Sequence, residues 1–123
     1  MSSIKKILIA EDELIIARVL KRVLEQSGYE VIQVSDENNA VLKAVEFRPD
    51  LIILDIHLKQ KSSGVHAGRE LRKREILCPI VFTTGNSYEQ TKAEIKEIKN
   101  CHLLIKPIDP AQILSYIKSI EPS

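Results

Sequence analysis

Hydrophobic and polar positions along the chain alternate between two repeat lengths. Short apolar runs typical of strands lie at 6–10, 29–34, 51–54, 79–84 and 102–105. Between them, apolar residues recur every three or four positions, which is typical of amphipathic helices. These helical patterns cover the stretch from 14 to a stop at Gly28, then 37–48, 64–75, 88–99 and a last stretch from 109–110 to about 120. The pattern therefore predicts five strands that alternate with five helices.

Capping signals support the predicted second helix. Ser35 or Asp36 can cap its first turn, and Pro49 ends it because the residue before a proline disfavours helical backbone. The fourth helical pattern is mostly polar, with Ile95 and Ile98 as its clearest apolar anchors.

Strands that alternate with helices indicate a parallel sheet covered on both faces. Because crossovers are right-handed, few topologies remain, and we predict an α/β fold with a doubly wound sheet in the flavodoxin-like order 2-1-3-4-5. Sites in such sheets lie just beyond the carboxyl ends of the strands. Asp55 directly follows the apolar run at 51–54, so it need not be buried, because the strand emerges into the crevice at this point.

Composition fits one globular domain over residues 1–123, with a core from about 5 to 120. The chain is 44% hydrophobic and 28% charged, and its net charge of +1 gives no strong attraction to nucleic acid or an anionic membrane. No apolar run approaches the roughly 20 residues of a membrane span, and the start is too polar for a signal peptide. We expect a cytoplasmic protein, complete from its first methionine, that binds neither membrane nor nucleic acid. Ser123 is either the natural end or a point at which a longer protein was cut.

The two cysteines, Cys78 and Cys101, form no CxxC pair and show no zinc-ligand spacing with histidine. In a cytoplasmic protein we expect both to be reduced and partly buried.

Polar residues follow four of the five predicted strands. They are Glu11 and Asp12 after the first, Asp55 after the third, Thr83 and Thr84 at the end of the fourth, and Lys106 after the fifth. Three close carboxylates repel one another and require a counter-charge, and Mg²⁺ takes such oxygen ligands. A carboxylate beside Mg²⁺ can attack a phosphoryl group to form an aspartyl phosphate. Lys106 and a threonine hydroxyl would then stabilise the phosphoryl oxygens.

Four stretches, in this order, resemble the receiver domain of two-component response regulators. They are ILIAEDE at 7–13, PDLIILDIHL at 49–58, PIVFTTG at 79–85 and LLIKPID at 103–109. The resemblance extends from Lys6 to about Ile120. It implies a signalling phosphoacceptor rather than an enzyme, catalysing only its own phosphorylation and dephosphorylation. The donor would be a sensor histidine kinase or a histidine phosphotransfer protein, and the reaction would depend on Mg²⁺.

The resemblance also implies roles for the acidic residues. Asp55 is similar to the phosphoacceptor of the family, and Asp12 to its direct Mg²⁺ ligand. Glu11 matches the neighbouring acid, which acts largely through metal-bound water. The backbone carbonyl of His57 matches the third protein group at the metal.

Two further positions match the family's conformational switch. Thr84, which precedes the small residue Gly85, matches the switch hydroxyl, and Thr83 should point to the opposite face of its strand. Lys106 matches the lysine that pairs with the phosphoryl group. The resemblance implies that the peptide bond from Lys106 to Pro107 is cis.

The chain departs from the family pattern at the aromatic switch position. The family often has tyrosine or phenylalanine three residues before the lysine, and this chain has Leu103. The usual coupling between threonine and aromatic ring is therefore in doubt. Tyr88 and Tyr116 either supply an aromatic on the output face or are ordinary surface residues.

The loop at 55–64 is one residue longer than the commonest version and has Lys59 where a proline is frequent. The family tunes hydrolysis of the acyl phosphate two residues after the acceptor and two after the switch hydroxyl. We hypothesise that the side chains of His57 and Asn86 tune it here. The alternative is that the His57 side chain faces solvent and only its carbonyl matters.

The resemblance implies that a downstream protein binds the face formed by the fourth and fifth strands and helices. It also allows a homodimer that forms on phosphorylation. The alternative function is a pseudo-receiver, an adaptor that binds proteins without phosphate. A hydrolase of the haloacid-dehalogenase type would need a second acid where His57 stands, and a nucleotide-binding fold would need glycines after the first strand.

Overall fold

The computed structural model describes residues 3–58, 63–85 and 87–121, and within them five parallel strands form one sheet in the order β2-β1-β3-β4-β5. The strands are β1 Lys6–Ala10, β2 Glu30–Val34, β3 Leu51–Asp55, β4 Ile80–Thr84 and β5 Cys101–Ile105. The helices are α1 Leu14–Gln26, α2 Glu37–Phe47, α3 Gly64–Lys73, α4 Tyr88–Ile95 and α5 Pro110–Ile120. This order confirms the predicted doubly wound, flavodoxin-like fold.

Two hydrophobic cores lie on opposite faces of the sheet, because alternate strand residues point to opposite sides. On one face, Leu8 and Phe82 pack in a core that also contains buried residues of α2, α3 and α4. On the other face, Ile9 and Val81 pack with buried residues of α1 and α5. Because both faces are covered, the central strands read as continuous apolar runs rather than as alternating patterns.

The observed helix ends agree with the capping signals. Of the two candidate caps for α2, Asp36 accepts a hydrogen bond from the backbone N–H of Asn39 at 2.8 Å. Gly28 follows α1 with a φ of +100°, a left-handed conformation that glycine adopts without strain. Asp109 and Gln112 form a capping box at the start of α5.

The helix α4 is shorter than its pattern predicts. It ends at Ile95 rather than near residue 99, and the N–H of Ile98 then closes a tight turn onto the Ile95 carbonyl at 2.9 Å. The guanidinium of Arg72 in α3 donates to the carbonyls of Lys99 and Asn100. The predicted end near residue 99 was therefore wrong, and the carbonyls beyond the turn are satisfied by a side chain from another helix rather than by bonds within α4.

Both cysteines are free thiols of intermediate exposure, as predicted. Burial raises the pKa of the Cys78 thiol to about 11, and the nearby Arg72 guanidinium only partly offsets this. Among the helices of the described ranges, none has the length and hydropathy that crossing a membrane requires.

Candidate functional site

The carboxyl ends of β1 and β3 bring the three predicted acids together. Ala10 and Leu54 are partners across these adjacent strands, so the residues that follow them are neighbours. Glu11, Asp12 and Asp55 each offer a carboxylate oxygen, and these atoms lie within 4.8 Å of one another. The cluster predicted from separate segments of the chain is therefore present.

Asp55 is the last residue of β3 and is only 2% exposed. Its position at the mouth of the crevice left it free to be exposed, and the structure instead encloses its side chain. Its charge is compensated locally: Oδ1 accepts the backbone N–H of His57 at 3.0 Å, and Oδ2 accepts the ammonium of Lys106 at 2.7 Å. A buried carboxylate is tolerated when it is paired and hydrogen-bonded in this way.

The ammonium of Lys106 lies at the centre of the cluster. Its Nζ is 3.0 Å from Glu11 Oε1, in addition to its contact with Asp55, and 3.7 Å from Glu13 Oε1. Glu13 is a residue that the sequence reasoning did not assign, although it is the third acid of the segment EDE. Its carboxylate is largely exposed and forms the outer edge of the cluster.

The pKa values reflect this crowding. Burial raises the pKa of the Glu11 carboxyl above its usual value, and the neighbouring Asp55 raises it further, whereas the Glu13 backbone N–H and Lys106 lower it. Burial alone would lower the pKa of the Lys106 ammonium, but its hydrogen bonds and charge attraction to Asp55 and Glu11 outweigh this and raise it. Lys106 is therefore positively charged at neutral pH, where it offsets two carboxylates.

Residues 56–57 and 63–64, which follow β3, are hydrogen-bonded to each other beside the end of the strand. The N–H of Gly64 donates to the Ile56 carbonyl at 2.8 Å, and His57 and Ser63 form an isolated antiparallel bridge. A Cβ on Gly64 would lie 2.0 Å from the Asp55 carbonyl oxygen, so only glycine fits without a shift. This close approach fixes the backbone on either side of Asp55.

His57 itself is exposed, and the predicted roles of its carbonyl and its imidazole stay predictions. Residues 59–62 of the longer loop and Asn86, for which a role in hydrolysis was predicted, lie outside the described residues.

Thr84 ends β4 with its side chain fully buried, and its hydroxyl accepts a hydrogen bond from Thr91 in α4 at 3.4 Å. The Thr84 carbonyl accepts the N–H of Lys106 at 2.7 Å, which ties the two predicted switch residues together through the backbone. Thr83 is the register partner of Asp55, and strand alternation turns its side chain to the face of the sheet opposite that of Thr84. The peptide bond from Lys106 to Pro107 is cis, as the resemblance implied.

Neither Tyr88 nor Tyr116 takes the place of the aromatic ring that the family often has at the position of Leu103. Leu103 is half-buried and packs against the core beneath α2, α3 and α4. Tyr116 stacks on His102 with ring centroids 4.6 Å apart, and Tyr88 is exposed on α4. The site therefore adjoins a leucine where the family often has a tyrosine or phenylalanine.

The donor set fits a hard divalent cation. Carboxylate oxygens are the ligands that Mg²⁺ prefers, and three of them converge here from two separate segments. Asp12 is of intermediate exposure, so the cluster is accessible from solvent on the side of Asp12 and Glu13. Glu11, Asp12 and Asp55 are the residues that could hold the ion.

Comparisons with known proteins agree with this geometry. Residues 7–118 match the response regulator receiver domain family. The alkaline phosphatase synthesis transcriptional regulatory protein PhoP of Bacillus subtilis is 36% identical over 116 residues, which are 94% of this chain and 48% of PhoP. The phosphate regulon transcriptional regulatory protein PhoB of Escherichia coli is 32% identical over 120 residues, 94% of this chain and 51% of PhoB.

A solved structure, the chemotaxis protein CheY4 of Vibrio cholerae, superposes with a TM-score of 0.87 at 26% identity. The match covers 97% of this chain and 100% of CheY4. The chain spans about half the length of the curated relatives named above.

Proposed function

The chain belongs to the response regulator receiver domain family, and from this premise we propose that Asp55 accepts a phosphoryl group. One observation carries the proposal: the buried Asp55 carboxylate is 2.7 Å from the Lys106 ammonium and lies beside the Glu11 and Asp12 carboxylates. A buried carboxylate with a purely structural role would need only one counter-charge. The Asp55 carboxylate has the Lys106 ammonium beside it and also two further carboxylates, those of Glu11 and Asp12. That surplus of negative charge supports a site that takes up additional positive charge.

The donor is a sensor histidine kinase or a histidine phosphotransfer protein that carries phosphohistidine. A carboxylate oxygen of Asp55 attacks phosphorus, so that an O–P bond forms while the P–N bond breaks and its electron pair returns to the imidazole ring. The N–H of His57 holds Oδ1 in place, which leaves the carboxylate little rotational freedom. Positioning of this kind lowers the entropic part of the barrier.

Glu11, Asp12 and Asp55 would hold Mg²⁺, together with the backbone carbonyl of His57. When bound, Mg²⁺ supplies positive charge that offsets the charge of the phosphoryl oxygens. Lys106 contributes a second positive charge from the other side, through the contacts it makes with Asp55 and Glu11. The protein thus catalyses its own phosphorylation and dephosphorylation rather than the turnover of a substrate.

Signalling follows from the contacts around Thr84 and Lys106. Both residues hydrogen-bond the new phosphoryl oxygens, which shifts a pre-existing equilibrium of the face formed by β4, α4, β5 and α5. A downstream protein, or a second copy of the chain, then binds that face.

Labelling with acetyl phosphate tests the proposal, read as the mass gain of one phosphoryl group by intact-protein mass spectrometry. We expect Mg²⁺-dependent labelling of the wild-type protein and none of Asp55→Asn. Asp36→Asn is the matched control, because asparagine also caps helices and Asp36 is not one of the clustered carboxylates. A folded wild-type protein that takes no label with Mg²⁺ present would favour the adaptor that binds proteins without phosphate.

A further inference from the structure

A buried pair of hydroxyls links the site to α4. Thr84 and Thr91 are both fully buried, and Thr91 Oγ1 donates to Thr84 Oγ1 at 3.4 Å. A hydroxyl removed from water is costly unless it is hydrogen-bonded, so the pair has an energetic reason to persist. At 3.4 Å the contact is longer than an ordinary hydrogen bond between hydroxyls, so a small displacement of either residue breaks it.

The helix that carries Thr91 has few other attachments to the core. All residues of α4 are described, and within it only Thr91 and Ile95 are buried. Ile95 contributes a non-directional apolar contact to the core beneath α4. Thr91 contributes a directional contact whose partner is the last residue of β4, at the edge of the sheet where Asp55 and Lys106 meet.

The family's coupling between the switch threonine and an aromatic ring three residues before the lysine has no aromatic partner here, because that position is Leu103. Leu103 packs against the core and has no hydroxyl to exchange hydrogen bonds with Thr84. The contact from Thr84 to Thr91 therefore supplies a polar link between the phosphoacceptor site and an element of the output face.

We propose that Thr91 is a positioning residue that holds the Thr84 hydroxyl in the resting state and so transmits the phosphorylation state of Asp55 to α4. The proposal rests on the phosphoacceptor function proposed above. When Thr84 turns to donate to a phosphoryl oxygen, it leaves Thr91, and α4 loses one of its two buried anchors. Conversely, the Thr91 hydroxyl stabilises the resting state and opposes activation.

Two variants separate the hydroxyl of Thr91 from its volume. Thr91→Val keeps the shape and removes the hydroxyl, and Thr91→Ser keeps the hydroxyl and removes a methyl group. The probe is beryllofluoride with Mg²⁺, a stable mimic of the phosphoryl group, titrated against the backbone amide NMR signals of α4. We expect Thr91→Val to bind it about fivefold more tightly than wild type, since one net hydrogen bond of the resting state is lost. Thr91→Ser should stay within about twofold of wild type.

A second measurement needs no phosphoryl mimic. Amide hydrogen exchange of residues 88–95 without ligand should be faster in Thr91→Val than in Thr91→Ser, because α4 has lost its buried polar contact with β4. Thr91→Ala, which also lacks the hydroxyl, replaces Thr91→Val if the valine variant does not fold. Equal affinities and equal exchange in the hydroxyl-free and serine variants would overturn the role of Thr91 alone. Failure of the folded wild-type protein to bind beryllofluoride would overturn the phosphoacceptor function, and the transmission role with it.

Discussion

The Lys106 ammonium lies between two carboxylates that would otherwise repel each other. It contacts Asp55 and Glu11 at 2.7 and 3.0 Å, and its side chain is 19% exposed. Breaking such a pair leaves an uncompensated buried charge, whereas the exposed pair of Lys43 and Glu46 contributes little to stability. The same residue type therefore has very different importance in the two places.

Replacing Lys106 should separate labelling from signalling. We expect Lys106→Ala to be labelled by acetyl phosphate roughly 10²-fold more slowly, because a preorganised cation that faces the phosphoryl oxygens is removed. Some label should remain, but beryllofluoride should no longer shift the amide NMR signals of β4 and α4. Lys43→Ala is the control for loss of a lysine. A variant that responds as fully as wild type would contradict the role assigned to Lys106.

At the scale of elements, two helices adjoin the site. The helix α3 begins against the backbone of Asp55, and α1 begins directly after Asp12 and Glu13. Gly64, at the start of α3, approaches the backbone of Asp55 so closely that no other residue fits. On α1, several apolar side chains are exposed beside Asp12 and Glu13, namely Leu14, Ile15, Ile16 and Val19. The start of α3 thus constrains the backbone of Asp55, the proposed phosphoacceptor, and α1 offers an exposed apolar surface that follows Asp12 and Glu13 in the chain.

The close approach of Gly64 predicts a large loss of stability on adding one methyl group. Gly64→Ala should lower the free energy of unfolding by about 3 kcal/mol, since its Cβ would meet a backbone carbonyl that cannot move alone. Gly85→Ala is the matched control, because nothing lies within 4 Å of its Cβ position, and it should change stability by less than about 0.5 kcal/mol. Urea denaturation measures both. Equal stabilities of the two variants would show that the contact relaxes easily.

The exposed face of α1 predicts where the proposed phosphohistidine donor would bind. A protein donor must bring its imidazole to Asp55 and so covers the surface that continues from the site, including Ile15, which is 79% exposed. Ile15→Ser should slow phosphotransfer from a donor protein about tenfold and leave labelling by acetyl phosphate unchanged.

The control for this experiment is Leu42→Ser on α2, which removes a similarly exposed apolar side chain on the opposite face of the sheet. If both variants accept phosphate from the donor as fast as wild type, the donor does not use α1.

At the scale of the whole molecule, the acidic cluster brings together more negative charge than Lys106 offsets, which opposes folding. The sheet holds the ends of β1 and β3 side by side because their register is fixed by hydrophobic residues on both faces. The core therefore forces the carboxylates together, and a cation that binds only the folded state stabilises it by mass action.

Magnesium should raise the melting temperature. At a free concentration 100 times the dissociation constant, the folded state gains about 2.7 kcal/mol, which corresponds to several degrees for a domain of this size. Asp12→Asn should lose most of this increase, whereas Asp36→Asn should keep it. Differential scanning fluorimetry with and without Mg²⁺ measures the shift, and an Asp12→Asn response equal to that of wild type would exclude Asp12 as a ligand.

The sequence by itself determined the order of elements, the topology and the residues at the strand ends. These follow from local properties: apolar runs, helical spacing, capping residues and the rule that carboxyl ends of parallel strands share one edge. Asp55 and Lys106 could be paired in advance because both are placed by strands whose register the core fixes. Asp36 was one of two candidate caps for α2. The hydrogen bond that identifies it as the cap comes from Asn39, only three residues along the chain, so this contact is local.

Only the tertiary structure decided how deeply each residue is buried and which distant groups meet. Asp55 is buried at the end of β3 with partners from two other places in the chain, and the carbonyls beyond α4 are satisfied by Arg72 from another helix. The contacts of Lys106 with Glu13 and of Thr84 with Thr91 carry no repeat or spacing that a sequence pattern could reveal. Burial and hydrogen bonding of this kind depend on side chains that the fold brings together, and a local pattern does not encode them.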